Sequence, residues 1–180
     1  MATVPVPPNI TASEYATSTI AQGWVDGILW ALGLTTSSVS GSVRRPLCRA
    51  TLTSAQSVAN ATNTAVNLDH EDVDYDSMHE AVIHPSRLTA NTTGWYAVTA
   101  NAQFAANATG VRLAYLTVNG TKRAATQVQH NAAATGVTGV STSDYVYLNA
   151  TDYLELVVQQ TSTAALNVGD AGLCAEWRSN

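Results

Sequence analysis

Charged residues are scarce in this chain of 180 residues. Asp, Glu, Lys and Arg make up 12% of the sequence, whereas hydrophobic residues make up 46%. The charged fraction is about half of that in an ordinary soluble domain, so Thr, Ser, Asn and Gln must cover much of the surface. We therefore expect part of the surface to be buried against other copies of the chain or against other partners.

A basic stripe and a long apolar run are also missing. The net charge is −5, and the basic clusters are limited to the pairs Arg44-Arg45 and Lys122-Arg123. These features exclude nucleic acid as an expected partner. No run of about 18 apolar residues is present, so we expect no membrane insertion. The stretch 1–9 lacks the basic and apolar regions of a secretory signal, which predicts synthesis in a cytoplasm.

Only two cysteines occur, Cys48 and Cys174. Their separation excludes a Cys-x-x-Cys metal or redox motif. For a protein made in a reducing compartment, we expect both to be buried free thiols. A disulfide between them remains the alternative.

The N-terminal part of the sequence changes character at residue 11. Residues 1–10 contain three prolines and are incompatible with a helix. Thr11 and Glu14 then have the spacing of a capping box, and Gly33 is a typical residue after a helix end. The spacing predicts a helix over 12–32. Its apolar face consists of Ile20, Trp24, Val25, Ile28, Leu29 and Leu32.

Two interpretations of this helix are open. It could pack on the rest of the chain, or it could pack on other copies or on a docking partner. The segment 35–45 is polar, rich in serine and contains Gly41, which is typical of a linker. The linker favours the second interpretation, so we assign 1–34 to an extended arm and anchoring helix, 35–45 to a linker and 46–180 to a separate domain.

From residue 46 onward the pattern is that of β-strands. Alternation predicts a strand over 94–104 with Tyr96 and Phe104 on one face, and Asn119-Gly120 is a strong hairpin signal. The spacing of turns predicts an antiparallel sandwich or barrel, and the lack of helix-strand alternation excludes a parallel sheet. The other predicted strands are 49–52, 64–68, 111–118, 122–130, 137–148, 153–160 and 173–178.

Little in the sequence indicates catalysis or metal binding. Asp72, Asp74 and Asp76 resemble the start of a calcium loop, but Ser77 and Ile83 stand where an EF-hand has Gly and Glu. They remain a weak calcium candidate in an otherwise solvated acidic loop. His79 and His84 lack the converging partners of a zinc site, and no nucleophile motif is present. We expect no enzymatic activity and no cofactor.

The order of these signals resembles the jelly roll of the complement globular head and the tumour necrosis factor family. The segment 79–96 resembles the part of that family where a glycine and a tyrosine begin a central strand. The segment 104–120 resembles the next hairpin, and 148–156 resembles a turn and the strand that follows it. Thr151 replaces a glycine that the family usually has before an aspartate. The resemblance implies that the first and last strands are neighbours in one sheet, which would bring Cys48 and Cys174 close together.

Several short motifs also resemble virion proteins of phages that infect actinobacteria, usually described as minor tail proteins or tail fibres. The motifs are 74–79 (DYDSMH), 85–87 (PSR), 104–110 (FAANATG) and 163–168 (TAALNV). This resemblance implies a tail-associated structural protein on the virion surface, anchored to another virion protein through 1–34 and possessing a host-surface role that could include glycan binding. A capsid decoration or head-fibre protein is the alternative.

The tyrosines indicate how such a domain would associate. Tyr145 and Tyr147 alternate on one strand face, and we expect Tyr115 and Tyr153 on neighbouring strands. An outward aromatic face would need a partner, and in trimeric jelly rolls of the resembled kind such residues line the threefold axis. The resemblance therefore implies a homotrimer, while an ordinary core position for each tyrosine stays open.

Overall fold

The computed structural model describes residues 44–180, and every regular element in this range is a β-strand. The predicted helix over 12–32, its apolar face and most of the linker lie outside the described residues. No helix able to span a membrane is found in the described part. The strands are β1 (Leu47–Leu52), β2 (Gln56–Val58), β3 (Thr64–Ala65), β4 (His70–Asp74), β5 (His79–Glu80), β6 (His84–Thr89), β7 (Gly94–Phe104), β8 (Val111–Val118), β9 (Thr121–Lys122), β10 (Val128–Asn131), β11 (Thr138–Leu148), β12 (Tyr153–Gln160) and β13 (Leu166–Ser179).

These strands form two antiparallel sheets, as the sequence predicted. The front sheet has the order β11-β7-β13-β1-β4, with β2 paired to β13. The back sheet has the order β10-β8-β12-β6-β5, with β3 paired to β12 and β9 paired to β8. This arrangement is a jelly-roll sandwich, so the predicted fold class is confirmed for the described residues.

Strict alternation on the long strands builds the core. On β7, Tyr96, Val98, Ala100, Ala102 and Phe104 are at most 5% exposed, and the residues that alternate with them face outward. On β12, Leu154, Leu156 and Val158 are fully buried, as predicted. Because successive side chains of a strand point to opposite faces, burying one set of residues automatically presents the other set on the outer surface.

The turn at Asn119-Gly120 is confirmed, but the strand that follows is not continuous. The φ angles of Asn119 and Gly120 are 50° and 74°, which is the left-handed region that such hairpins require. The predicted strand over 122–130 was wrong in its middle. The chain is paired only in β9 and β10, and Ala125 between them has a φ of 62°. A residue in that conformation cannot continue a strand.

Strand boundaries elsewhere differ from the prediction for similar local reasons. The acidic segment expected to be a loop contains β4, which pairs with β1 on the front sheet. The strand predicted over 64–68 is paired only at Thr64 and Ala65, and the last strand starts earlier, at Leu166. The short strands β2, β5 and β6 were not predicted. Segments of this length carry too little alternation to be distinguished from loops.

Two backbone positions fix the corners near the start of β7. Gly94 has a φ of 148°, and a Cβ there would collide with the indole of Trp177 and the carbonyl of Ser179. Thr151, which replaces the family's usual glycine, has a φ of 79° and donates its amide hydrogen bond to the Ala90 carbonyl at 2.7 Å. A β-branched residue in this region is strained, so the corner keeps a glycine-like conformation without a glycine.

Candidate functional site

The outward face of β7 and β11 carries no charged side chain. We call this surface the front face. The two strands pair along their whole length, and Tyr147 lies opposite Trp95 while Tyr145 lies opposite Ala97. The outward residues are Trp95, Ala97, Thr99, Asn101 and Gln103 on β7, and Gly139, Ser141, Ser143, Tyr145 and Tyr147 on β11.

Three aromatic side chains form the apolar end of the front face. Trp95 is 45% exposed, Tyr147 46% and Tyr145 62%. The rings of Trp95 and Tyr147 meet edge to face, with centroids 5.5 Å apart and an interplanar angle of 72°. This geometry is favourable for aromatic pairs, so the aromatic end is an ordered surface that still leaves much of each ring accessible.

Beyond the aromatic end, the front face is flat and lined by small polar groups. A shallow depression of about 320 Å³ is lined by residues that include Thr99, Asn101, Ser141 and Ser143. A second depression, of about 240 Å³, adjoins it across β13, where Gly172 provides no side chain. The small uncharged side chains of β7 and β11 allow another backbone surface to approach closely there, whereas Arg49 forms part of the lining of the second depression.

Charges appear on the strands beyond this area, where Asp170 on β13 is exposed and four other charged residues form two ion pairs. Arg49 Nε lies 3.1 Å from Asp72 Oδ2, and Arg178 Nη2 lies 3.0 Å from Glu176 Oε2. These pairs are largely exposed, so each contributes little to folding stability. They give the front face a polar rim around its uncharged centre.

The edge strand β11 is held to the back-sheet side by three side-chain links. Arg123 donates to Asp144 Oδ2 through Nη2 at 2.8 Å and Nε at 3.1 Å. Thr142 donates its hydroxyl to the Thr126 carbonyl at 2.7 Å, and His130 Nδ1 lies 2.9 Å from the Gly139 carbonyl. The links fix β11 and therefore the position of Tyr145 and Tyr147.

The structure separates the four predicted interface tyrosines into two pairs. Tyr145 and Tyr147 lie on the front face, whereas Tyr115 and Tyr153 lie on strands β8 and β12 of the back sheet. Tyr115 and Tyr153 do lie on neighbouring strands, but these strands do not share a sheet with β11, so the four tyrosines do not form one face. The sequence showed alternation within each strand but gave no information about which sheet each strand enters.

The tyrosines of the back sheet are already covered by their own chain. Tyr115 is 8% exposed and packs with Leu113 and Val157, and burial raises its pKa. Lys122 Nζ lies 4.8 Å from its ring centroid. The guanidinium carbon of Arg87 lies 4.1 Å from the ring centroid of Tyr153. Such contacts between a cation and an aromatic ring are favourable, and here they cover tyrosine rings on the outer surface of the back sheet.

The three aspartates of the calcium candidate serve different local contacts. Asp72 pairs with Arg49, while the Asp74 carboxylate accepts hydrogen bonds from the backbone amides of residues 76, 78 and 79. Asp76 accepts a hydrogen bond from the Thr92 hydroxyl at 3.2 Å, and its pKa is raised mainly by burial. Within residues 44–180 no three potential ligands converge as a metal site would require.

The histidines are likewise dispersed. His79 is buried, with Nδ1 3.0 Å from Glu71 Oε1 and Nε2 3.2 Å from the Pro85 carbonyl oxygen. His84 is exposed on the neighbouring strand β6. His79 thus serves a structural contact at the end of the sandwich.

Cys48 and Cys174 lie on adjacent strands but on opposite faces of the front sheet. The strand pairing implied by the resemblance is confirmed, since β1 and β13 are antiparallel neighbours. Cys48 lies opposite Ala175 and is buried inside the sandwich, whereas Cys174 lies opposite Arg49 on the outer side. Both are free thiols. Burial raises the pKa of both, and Asp74 and Glu71 raise that of Cys48 further.

Trp95 is the front-face residue that sequence reasoning did not single out. The signal was available, because an inward Tyr96 on an alternating strand requires its neighbour to face outward. The proposed anchor residues Ile20, Trp24, Val25, Ile28, Leu29 and Leu32 lie outside the described residues.

No protein-family model matches the chain, and none of the curated proteins is similar to it in sequence. Solved structures do show the same jelly-roll fold. The globular domain of zebrafish complement 1qA protein matches with a TM-score of 0.56 and 12% identity over 76% of this chain and all of that chain. Murine APRIL matches with a TM-score of 0.55 and 12% identity over 74% of this chain and 99% of that chain.

A vertex protein is also among the similar structures. PRD1 vertex protein P5 has a TM-score of 0.57 and 16% identity, covering 81% of this chain and 82% of that chain. The described part of the chain therefore has the same jelly-roll fold as these three structures. At these identities the likenesses show the fold alone.

Proposed function

We propose that this chain is a non-enzymatic structural protein of a tailed-phage virion and that it forms a homotrimer through the front face. The observation that carries the proposal is the combination of partly exposed Trp95, Tyr145 and Tyr147 with a complete lack of charged side chains on the outward face of β7 and β11. Exposed apolar patches of this kind are usually covered by a partner.

A second copy of the chain is the occupant that the chemistry favours. An uncharged face has no like charges to repel its own copy, and its small polar residues allow close packing. The Arg49–Asp72 and Arg178–Glu176 pairs around it are internally neutralised. The low charge of the whole chain and its resemblance to trimeric jelly rolls support closed threefold association.

Within the virion, the chain is a tail-associated fibre or minor tail protein that projects the jelly roll towards the host surface. Residues 1–34 dock on another virion protein, and 35–45 form the linker to the jelly-roll domain of 46–180. The motif resemblance to actinobacterial phage tail proteins supports this location. A capsid decoration or head-fibre role is the second candidate, and the fold shared with PRD1 vertex protein P5 favours it.

Light scattering of the full chain tests the assembly. We expect three times the monomer mass of 18.9 kDa at micromolar concentration. A clean monomer or a stable dimer would contradict the proposal. Reconstruction of the intact virion tests the location, since density for the jelly roll on the tail supports the first candidate and density at capsid vertices supports the second.

The anchor is tested by Trp24→Ala combined with Ile28→Ala in the full chain. Large apolar side chains that are buried in a contact each contribute roughly 1.5–3 kcal/mol. We expect the variant to remain trimeric but to be lost from purified particles. Normal incorporation, or loss of the trimer, would show that 1–34 is not the attachment segment.

A further inference from the structure

A polar pocket lies at the edge of the back sheet, and none of its lining residues belongs to the front face. It has a volume of about 330 Å³, at the small end of the range for ligand sites. The pocket is formed by β5, β6 and the turns next to them. Its polar lining residues are Ser77, Glu80, His84, Arg87, Thr89 and Asn91, and Met78 forms an apolar part of the wall.

Arg87 is held in place before any ligand arrives. Its Nε lies 3.5 Å from Glu155 Oε1, and its guanidinium plane covers the ring of Tyr153. Ser86 fixes the same carboxylate oxygen of Glu155 with a hydrogen bond of 2.8 Å. Because the ion pair uses Nε, the two terminal amino groups of Arg87 are the donors left for a ligand. A pre-positioned planar donor loses little conformational freedom on binding.

Asn91 is fixed in a similar way on the opposite wall. Its Nδ2 donates to the carbonyls of Asp76 and Ser77, at 2.5 and 3.2 Å. The amide oxygen then remains as an acceptor. The backbone amide of Thr89 donates to the Met78 carbonyl at 2.6 Å, which ties β6 to the pocket wall. The pocket therefore offers fixed donors and acceptors together with the hydroxyls of Ser77 and Thr89.

Arg87, the permanently charged cation of the pocket lining, is already paired. Arg87 is neutralised by Glu155, and Glu80 lies opposite His84 in the β5–β6 pairing. A strongly anionic ligand has no uncompensated cation to bind here. A neutral ligand with many hydroxyl groups matches the mixture of planar polar side chains and hydroxyls.

An exposed aliphatic pair lies on the turn that joins β5 and β6. Val82 is 92% exposed and Ile83 is 70% exposed, and the flanking residues Glu80 and His84 both line the pocket. A ligand that fills the pocket and carries one small apolar group could contact this pair. An N-acetylhexosamine has that combination, because its ring is hydroxylated and its acetamido group ends in a methyl.

We infer that this pocket binds an N-acetylated hexose of a surface glycan. The inference deepens the proposed host-surface role and rests on it for its biological setting. Arg87, Asn91, Thr89 and Glu80 bind the hydroxyl and amide groups, and Val82 with Ile83 contacts the acetamido methyl. The pocket lies on the back sheet, so trimer formation through the front face leaves it accessible.

Calorimetric titration of the full chain with tri-N-acetylchitotriose tests the site, with cellotriose as the comparison because it has hydroxyls where the first has acetamido groups. We expect cellotriose to bind at least tenfold more weakly. Arg87→Lys and Thr89→Val should each weaken chitotriose binding at least tenfold. Arg178→Lys and Thr121→Val, the matched substitutions at exposed positions outside the pocket, should leave it unchanged.

The possible failures can be told apart by light scattering on the same samples. A trimer that binds neither sugar would overturn the pocket inference and leave the assembly proposal intact. A monomer that binds chitotriose as described would overturn the assembly proposal alone. Equal binding of the two sugars, or binding that survives both pocket substitutions, would also overturn the inference.

Discussion

The outward faces of both sheets carry tyrosines, but the side chains around those tyrosines differ. On the back sheet, Tyr115 is covered by Leu113, Val157 and Lys122, and Tyr153 is covered by Arg87. On the front sheet, Tyr145 and Tyr147 have no cation over their rings in the described part of the chain and remain about half exposed or more. Only the tyrosines of the back sheet are covered by other side chains of the described residues.

This difference separates a surface that stabilises the fold from a surface available for assembly. Aromatic rings that are covered within the chain contribute their burial to folding. Rings left exposed contribute little until a partner removes them from water. The presence of tyrosine alone therefore does not indicate an interface. What distinguishes the two surfaces is whether neighbouring strands cover the tyrosine rings.

The largest expected effect comes from removing the aromatic end of the front face. Trp95→Ala combined with Tyr147→Ala should raise the trimer dissociation constant by about a thousandfold, since central aromatic residues of interfaces often contribute 2 kcal/mol or more each. Analytical ultracentrifugation measures the change. Tyr153→Ala on the back sheet is the matched control and should leave the mass unchanged, whereas a control that dissociates equally would remove the distinction between the faces.

A smaller effect is expected from loosening the edge of the front sheet. Asp144→Ala removes both hydrogen bonds from Arg123, which lies on the back-sheet side. The pair is partly exposed, so we expect a loss of about 1 kcal/mol in the free energy of unfolding. Denaturant unfolding measures it. Glu176→Ala, which removes the more exposed pair with Arg178, should cost clearly less, and an equal loss would contradict a special role for the β11 edge.

The contact between Arg87 and Tyr153 on the back sheet should contribute a still smaller interaction free energy to folding stability. A double-mutant cycle with Arg87→Met and Tyr153→Leu should show about 0.5–1 kcal/mol of interaction in unfolding free energy. Zero coupling would mean that the arginine does not complete the back sheet. The cycle is best measured in the Trp95→Ala, Tyr147→Ala background, where trimer dissociation does not contribute.

The two thiols offer the finest comparison because they lie on opposite faces of one sheet. Cys174 faces outward and Cys48 faces the core, and burial raises the pKa of each. We expect maleimide to label Cys174 several-fold faster in the dissociated front-face variant than in the trimer. Cys48 should stay unlabelled in both, as mass spectrometry of the digested protein can establish. Equal labelling of Cys174 in the two states would place β13 outside the contact.

Much of the fold was predictable where a strand is long and buried on one side. The bounds of β7 and β12 follow from alternation, and the end of β8 follows from the backbone requirement of the Asn119-Gly120 turn. The failures fall on short or interrupted strands. β4 was predicted to be part of an acidic loop, because its run of charged residues has no apolar alternation that would indicate a strand paired with β1. The predicted strand over 122–130 is broken at Ala125, whose positive φ angle is not indicated by its residue type.

The sequence by itself determined which residues of each long strand face inward, since alternation is a local property of extended backbone. It also determined the low charge that leaves a face without ion pairs of its own. Only the tertiary structure decided that Tyr145 and Trp95 share a face, that Tyr115 and Tyr153 lie on the other sheet, and that Cys48 and Cys174 point apart. Those relations depend on which distant strands pair and in which register. A register shift of one residue would move the side chains of a strand to the opposite face of its sheet.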